Sequence, residues 1–527
     1  MPSRTIGELL AFACQRHANR PAIVRGTDVL TYGQLLERAS QLSNALSGAG
    51  LRAGDRVGAM LEDRVQSIEV YVACALGGFP IIHINDRLAP PEVEHVAINA
   101  QVRAFFHTDG RSEVVSQVPG LNELAVFATI GSNRAPGATD YEKLLATGHR
   151  ELVLASRGSD DLAIVGYTSG TTGFPKGAMV SQAALTACVK LLPTMYRISP
   201  YGRCAFTGTL SFVSGIWGVI YPHLYMGGTT TFLHPYTPES WVEHMANDKS
   251  TFTYAPSPLV PAFMEQIRRR PEVLSSLETV LHSASPLPAT QVRELVELIG
   301  ERYVEVWGMT EGVSPFSATV RGDWRHESSS ADVFASSGRA FPTARIRSVD
   351  PQGNELGPDE EGELVVESEI LFSGYLDDPQ KTSEVMTPLG FATGDLGRID
   401  AGGYVYVVGR KKELIITGGM NVYPAEIEAA LSTHADVLEC SVFGVPDERW
   451  GEAVAAAIVL RPGTRANEGD LIAHVRSRVA SYKKPSRVYF VDSLPRNASM
   501  KVLKAQLIAR FAGPATSSSA ARDNTIS

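Results

Sequence analysis

The sequence predicts an α/β protein. It has a large N-terminal domain of parallel-sheet α/β layers, a β-rich subdomain within it, and a small C-terminal α+β domain. Three observations predict this. The chain has 527 residues, more than one hydrophobic core organises. From about residue 31 to about 310 helical and strand patterns alternate, as they do where parallel strands are joined by helices. From 338 to 408 short strands separated by Gly, Pro and Asp replace that alternation, and a fresh α/β pattern begins after a charged knot at 409–413.

The elements follow in order. Leu35, Ala39, Leu42 and Leu46 recur at helical spacing, and Gly48 and Gly50 close that helix. Arg56–Leu61 reads as a strand, 65–77 as a helix and Pro80–Ile84 as a second strand. Phe212 to Met226 is apolar and aromatic but short, and reads as a buried helix. In the subdomain, Ala344–Val349, Gly362–Val366 and Gly403–Val408 read as strands, and Thr393-Gly-Asp395 as a turn. Pro424 followed by Glu426 and Glu428 marks a helix start. Ala453–Leu460 then reads as a strand, 467–479 as a helix and Arg487–Asp492 as a strand. The domains are placed at 1–408 and 413–513, with a hinge at 409–412 and a polar, disordered tail at 514–527.

Composition excludes several classes. Hydrophobic content of 44% and charged content of 20% fit a globular protein. A net charge of −9 argues against general nucleic-acid binding. The five cysteines, at 14, 74, 188, 204 and 440, form no close pair, so neither a zinc site nor a redox pair is expected. No apolar run is long enough to span a membrane, and the N-terminus lacks a leader pattern. A cytoplasmic protein is expected.

Residues 167–178, Tyr-Thr-Ser-Gly-Thr-Thr-Gly-Phe-Pro-Lys-Gly-Ala, follow the apolar run 162–166. Gly170 and Gly173 let the backbone bend. Backbone N–H groups, the hydroxyls of Thr168, Ser169, Thr171 and Thr172, and Lys176 then make a phosphate cradle. It is not a P-loop, because Pro175 stands where that motif has Gly and Gly177 follows Lys176. A second group, Trp307-Gly-Met-Thr-Glu311, follows a strand. Its ring can stack on adenine, Thr310 can donate to a phosphate and Glu311 can hold Mg²⁺.

The threonine-rich string resembles the signature loop of the adenylate-forming superfamily, which includes acyl-CoA synthetases, free-standing adenylation domains and beetle luciferases. The resemblance runs from about Thr31 to about Leu507. It implies an ATP- and Mg²⁺-dependent activation of a carboxylic acid to an acyl-adenylate, then thioester formation with CoA, with release of pyrophosphate and AMP. The neighbouring alternative is transfer to the phosphopantetheine of an acyl carrier protein. Oligomeric state and the identity of the acid stay open.

The resemblance also implies roles. Thr168, Lys176, Glu311 and Lys501 are catalytic, with Glu311 the metal carboxylate. The nucleotide lies on Thr168, Ser169, Gly170, Thr171, Thr172, Gly173, Lys176, Ser283, Ala284, Ser285, Trp307, Gly308 and Thr310. Asp395 and Arg410 take the ribose, since a carboxylate accepts two hydrogen bonds at once. Lys412 is the hinge about which a mobile C-terminal lid rotates. Gly418 and Gly419 line the pantetheine path, Trp450 stacks on the CoA adenine, and Lys483 and Lys484 neutralise its phosphates. The acyl pocket is built from Phe212, Val213, Met309 and the stretch beginning at His282. Two positions depart from the family pattern: Trp307 replaces a usual Tyr, and Met500 replaces the Gly before the catalytic lysine.

Overall fold

The computed structural model describes residues 5–168, 175–234, 236–283, 287–325, 332–447, 449–497 and 501–512. The tail expected at 514–527 lies outside them. The chain divides into two compact units, 1–393 with 397–407, and 394–396 with the residues from 408 onward. The short piece 394–396, inside the expected subdomain, thus groups with the second unit.

In the first unit one sheet contains β1 (Val57–Met60), β2 (Ile81–His83), β3 (Ala104–Thr108), β4 (Leu162–Thr168) and β5 (Lys176–Ser181), in the order β3-β1-β2-β4-β5 with Val126–Ile130 beyond β3. All neighbours are parallel except β4 and β5, which are antiparallel with Thr168 opposite Lys176. The helix Tyr32–Gly48 packs mainly against the next helix and buries its periodic apolar side: Leu35, Ala39, Leu42 and Leu46 are fully buried. It starts in a capping box. Thr31 Oγ1 accepts from the Gln34 N–H at 3.2 Å, and Gln34 Oε1 accepts from the Thr31 N–H at 2.9 Å. The next helix, Val65–Gly77, stops at Gly78, whose φ of 66° suits a residue without Cβ.

A second sheet carries β6 (Phe252–Tyr254), β7 (Thr279–His282) and β8 (Tyr303–Trp307) side by side and parallel. The helix α1 (Val260–Arg269) follows β6 and buries Val260, Phe263, Met264 and Ile267 against this sheet's core. The buried helix expected at 212–226 is present in three pieces, Val213–Gly215, a π-helical Ile216–Ile220 and Tyr221–Tyr225. Such π turns recur at functional sites.

The third sheet includes Ala344–Val349, Gly362–Ser368, β9 (Gly390–Ile399) and β10 (Val405–Arg410). Thr393-Gly-Asp395 is here a correction: it lies within β9 and is not a turn. Phe391, Thr393 and Asp395 are buried in alternation, at the period of two that defines a strand. Gly394 bends the strand with φ 72°.

In the second unit β11 (Ile415–Thr417) and β12 (Met420–Val422) form a hairpin around Gly418–Gly419. Both glycines have positive φ, 57° and 78°, as a two-residue hairpin turn favours. The strand β13 (Gly451–Leu460) is covered on both faces. Val454, Ala456 and Ile458 join one core with Ile427, Leu431, Leu471 and Val475. Ala453, Ala455, Ala457 and Val459 join another with Leu494 and Leu507, the latter from α2 (Lys504–Phe511). No described helix is long and apolar enough to cross a membrane.

Candidate active site

Seven of the residues assigned from sequence, Ser169, Gly170, Thr171, Thr172, Gly173, Ala284 and Ser285, lie outside the described residues, as does Met500. The loop's two anchors are described. Thr168 ends β4, Lys176 begins β5, and their pairing closes the base of the threonine-rich segment.

Lys176 and Glu311 are brought together by a residue that the sequence did not single out, Tyr375. The Lys176 ammonium sits over the Tyr375 ring, 5.5 Å from its centre. The Tyr375 hydroxyl donates to Glu311 Oε1 at 2.8 Å. The segment carrying Tyr375 is zipped along β5: Met179 N–H donates to the Gly374 carbonyl at 3.0 Å, and Leu376 N–H to the Gly177 carbonyl at 2.8 Å. Burial, then the Glu311 carboxylate, pushes the Tyr375 phenol above its ordinary pKa, so it remains a donor. Glu311 is itself fixed at its backbone, where its carbonyl accepts from Phe372 N–H at 2.9 Å. Tyr375 stands 64 residues from Glu311 in sequence, and nothing local signals it.

Thr310 and Glu311 open a 3₁₀ turn that ends at Val313, a β-branched residue held at φ 56°. Positive φ is strained for such a side chain, and strain of this kind clusters at functional sites. Gly308 faces the returning chain so closely that a Cβ would stand 2.7 Å from Pro315 Cα. Trp307 is only 8% exposed and meets Phe316 edge-to-face at 5.1 Å. Most of the indole therefore belongs to the core, and Met309 packs against the same cluster.

Gly166 on β4 joins the nucleotide and acyl assignments. A Cβ there would stand 2.8 Å from Thr310 Cγ2, 3.0 Å from Val213 Cγ1 and 3.3 Å from Trp217. Thr310 and Val213 thus meet over one bare stretch of backbone. Val213 is buried, and Phe212, half-buried, precedes it as the helix cap. The segment just before is pinned by polar bonds. Leu210 N–H donates to Asp63 Oδ1 at 2.7 Å, Ser211 Oγ bonds Asp86, and Arg111 pairs with Asp86 at 3.1 Å. The Ser283 carbonyl accepts a long bond from the Tyr254 hydroxyl, 3.3 Å.

In the second unit Asp395 and Arg410 form an ion pair, Nε to Oδ1 2.5 Å. Asp395 is 3% exposed, while Arg410 is half-exposed. Lys412 lies in the 3₁₀ turn Lys411–Glu413. Lys501 sits where residues 495–503 fold back: its N–H donates to Asn497 Oδ1 at 2.9 Å, and Arg496 bridges to Val502. Its ammonium is 3.7 Å from Glu413. Lys504 bridges Glu413 at 2.8 Å and Glu428 at 3.0 Å. Burial, then the charge of Arg410, holds Lys501 below the usual lysine pKa. Burial alone would raise the Glu413 carboxyl, but Lys504 and Lys501 outweigh it and hold it low.

Gly418 and Trp450 are in contact. A Cβ on Gly418 would stand 2.8 Å from the indole, and Gly418 N–H donates to the Trp450 carbonyl at 2.8 Å. Trp450 remains 49% exposed, with Arg449 over its ring at 4.6 Å. Gly419 has open space beside it. Lys483, one of the two lysines expected at the CoA phosphates, pairs with Glu426 at 2.6 Å. Its neighbour Lys484 is half-buried.

Fold and motifs together define the class, an AMP-forming acid–thiol ligase of the adenylate-forming superfamily. The chain belongs to the AMP-binding enzymes: the family model of that description matches residues 10–376, and the model of the AMP-binding enzyme C-terminal domain matches 426–501. It is 33% identical over 491 residues to a feruloyl-CoA synthase of Amycolatopsis sp, covering 93% of this chain and 96% of that one. It is 29% identical over 526 residues to the fatty acid–[acyl-carrier-protein] ligase ScoC of Streptomyces coeruleorubidus, covering 97% of each. The crystal structure of ATP-bound MatB from Rhodopseudomonas palustris superposes with a TM-score of 0.86 at 28% identity, covering 97% of this chain and 99% of that one.

Proposed function

We propose that this ligase joins a carboxylic acid with an apolar body to AMP and then passes the acyl group to CoA, using the residues named above. The observation that carries the reading is the run Thr168–Lys176–Tyr375–Glu311, which ties the strand pair flanking the threonine-rich segment to the acidic turn after β8. In the first step the carboxylate oxygen attacks the α-phosphorus of ATP and pyrophosphate leaves. The protein's task is charge placement. Lys176 and Thr168 face the phosphates, and Lys501 steadies the attacking carboxylate and the α-phosphate. Burial, then Arg410, lowers the pKa of that ammonium, which fits a site waiting for an anion.

A divalent metal fits this donor set. Magnesium is held by one or two carboxylates plus substrate phosphates; Glu311 accepts from Tyr375 through Oε1, and its carboxylate would be the protein's ligand to such an ion. When bound, the metal neutralises phosphate charge.

In the second step the thiol of CoA attacks the acyl carbon and AMP leaves. The Gly418–Gly419 turn admits a narrow arm, and the exposed indole of Trp450 offers a stacking face for adenine. Lys501 and that turn lie on separate segments of the second unit and serve successive steps, with Lys412 as hinge between a 1–408 adenylation domain and a 413–513 lid. We place the protein in the cytoplasm, since its five cysteines are free and four are buried.

The test is ATP–pyrophosphate exchange across a panel of aromatic and aliphatic acids, followed by thioester formation with CoA and with a pantetheinylated carrier protein. The reading expects exchange with at least one acid and acylation of CoA. Exchange without CoA acylation transfers the assignment to the carrier-protein class, of which ScoC is an example.

A further inference from the structure

Three side chains at the ends of neighbouring parallel strands form a hydrogen-bonded chain to which the ligase reading gives no proton-transfer role, although His282 opens the stretch expected at the acyl pocket. Ser257 follows β6 and opens the 3₁₀ turn Ser257–Leu259 that runs into α1. Its Oγ lies 2.9 Å from His282 Nε2. His282 ends β7, and its Nδ1 lies 2.8 Å from Glu305 Oε2 on β8. His282 and Glu305 are direct ladder partners. Glu305 is held in turn by the Tyr303 hydroxyl, and its N–H donates to Thr319 Oγ1 at 2.9 Å. His282 is fully buried, Glu305 is nearly so, and Ser257 is half-buried.

A hydroxyl, an imidazole and a carboxylate in this sequence are nucleophile, base and orienter. In the tautomer such a relay uses, the His282 Nδ1–H donates to Glu305 Oε2 and the Nε2 lone pair faces Ser257. A plain structural histidine needs two partners but no hydroxyl at the mouth of a strand-to-helix turn. That turn, directly after a parallel strand, is where α/β hydrolases mount their nucleophile. Here Pro256 and Pro258 shape it in place of glycines. The relay also sits beside an acyl-activating site, since Trp307 follows Glu305 by two residues on β8.

We propose that Ser257, His282 and Glu305 form a second catalytic centre, one that hydrolyses activated acyl groups. His282 Nε2 takes the Ser257 proton as Oγ attacks the acyl carbon. The bond to the leaving group breaks, either C–O to AMP or C–S to CoA, and His282 gives its proton to the departing thiolate or, for AMP, to the departing phosphate oxygen, which leaves the imidazole neutral. Water then attacks the acyl-serine ester with His282 again as base, releasing the free acid and restoring Ser257. Water is the co-reactant and nothing is oxidised. The net effect discards an acid that has been activated but not transferred.

The test uses the full chain without ATP and two probes, a fluorophosphonate and p-nitrophenyl butyrate. The proposal expects the fluorophosphonate adduct on the peptide bearing Ser257. It expects Ser257→Ala, at unchanged melting temperature, to lose the adduct and at least about tenfold of the ester hydrolysis. An unlabelled Ser257, or a variant that hydrolyses the ester within about twofold of the parent, overturns it. Neither probe passes through adenylation, so failure here leaves the ligase assignment standing.

Discussion

At the scale of single residues, close approach and burial decide what can be substituted. Gly166 is the sharpest case. A methyl group there would press on Thr310, Val213 and Trp217 at 2.8–3.3 Å, and overpacking of this kind costs about 1–3 kcal/mol. Gly166→Ala is expected to lower the denaturation midpoint and to raise KM for the acid more than KM for ATP, read from initial rates over both substrates. Asp63 gives a pH-dependent case. Burial, countered in part by its bond from Leu210, and then the nearby Asp86 push its carboxyl up to about 7. The folded protein then keeps a proton that the unfolded chain, with its ordinary carboxyl, gives up from about pH 4. Stability from this group is full below that value, falls as pH rises towards about 7, and levels off above. Asp63→Asn removes the ionising group. Its melting temperature relative to the parent is expected to rise from about pH 5 to about pH 8; an offset independent of pH would contradict the assignment.

At the scale of elements, the informative unit is the fold-back that carries Lys501 together with the start of α2. Lys504 clamps Glu413 and Glu428, so the turn containing Lys412 and the segment containing Lys501 are linked through Glu413. Glu413 also raises the pKa of Lys501 against the lowering effects of burial and Arg410. Glu413→Gln removes that support and lets the lysine lose its proton sooner. The basic limb of the pH–rate profile for pyrophosphate exchange is expected to move to lower pH. The profile for thioester formation from supplied acyl-adenylate is expected to stay in place. A neighbouring element shows why the sequence is incompletely legible here. Lys483 and Lys484 look equivalent in the chain, but Glu426, 57 residues away, takes the first.

At the scale of the whole molecule, the parts that were legible are those with strong periodicity. Leu35 to Leu46 announce their helix, and the apolar 453–460 run announces β13, whose two buried faces need apolar residues at every position. β9 was hidden because its inward positions include Thr393 and Asp395, residues that speak for a turn when read locally. Of the candidate site, the motif residues Thr168, Lys176, Thr310, Glu311, Asp395, Arg410 and Lys501 could be chosen from the chain. Their supports could not. Tyr375, Gly166 and the Lys504 clamp act through distances between segments far apart in sequence, and no spacing rule encodes those. The central claim is that one chain performs two chemically distinct steps and that Lys501 belongs to the first alone. The most direct measurement is therefore Lys501→Ala assayed separately in the two half-reactions, pyrophosphate exchange and AMP release from preformed acyl-adenylate with CoA. The account predicts that exchange falls by on the order of a hundredfold or more while AMP release stays near the parent rate; equal loss of both, or exchange left intact, contradicts it.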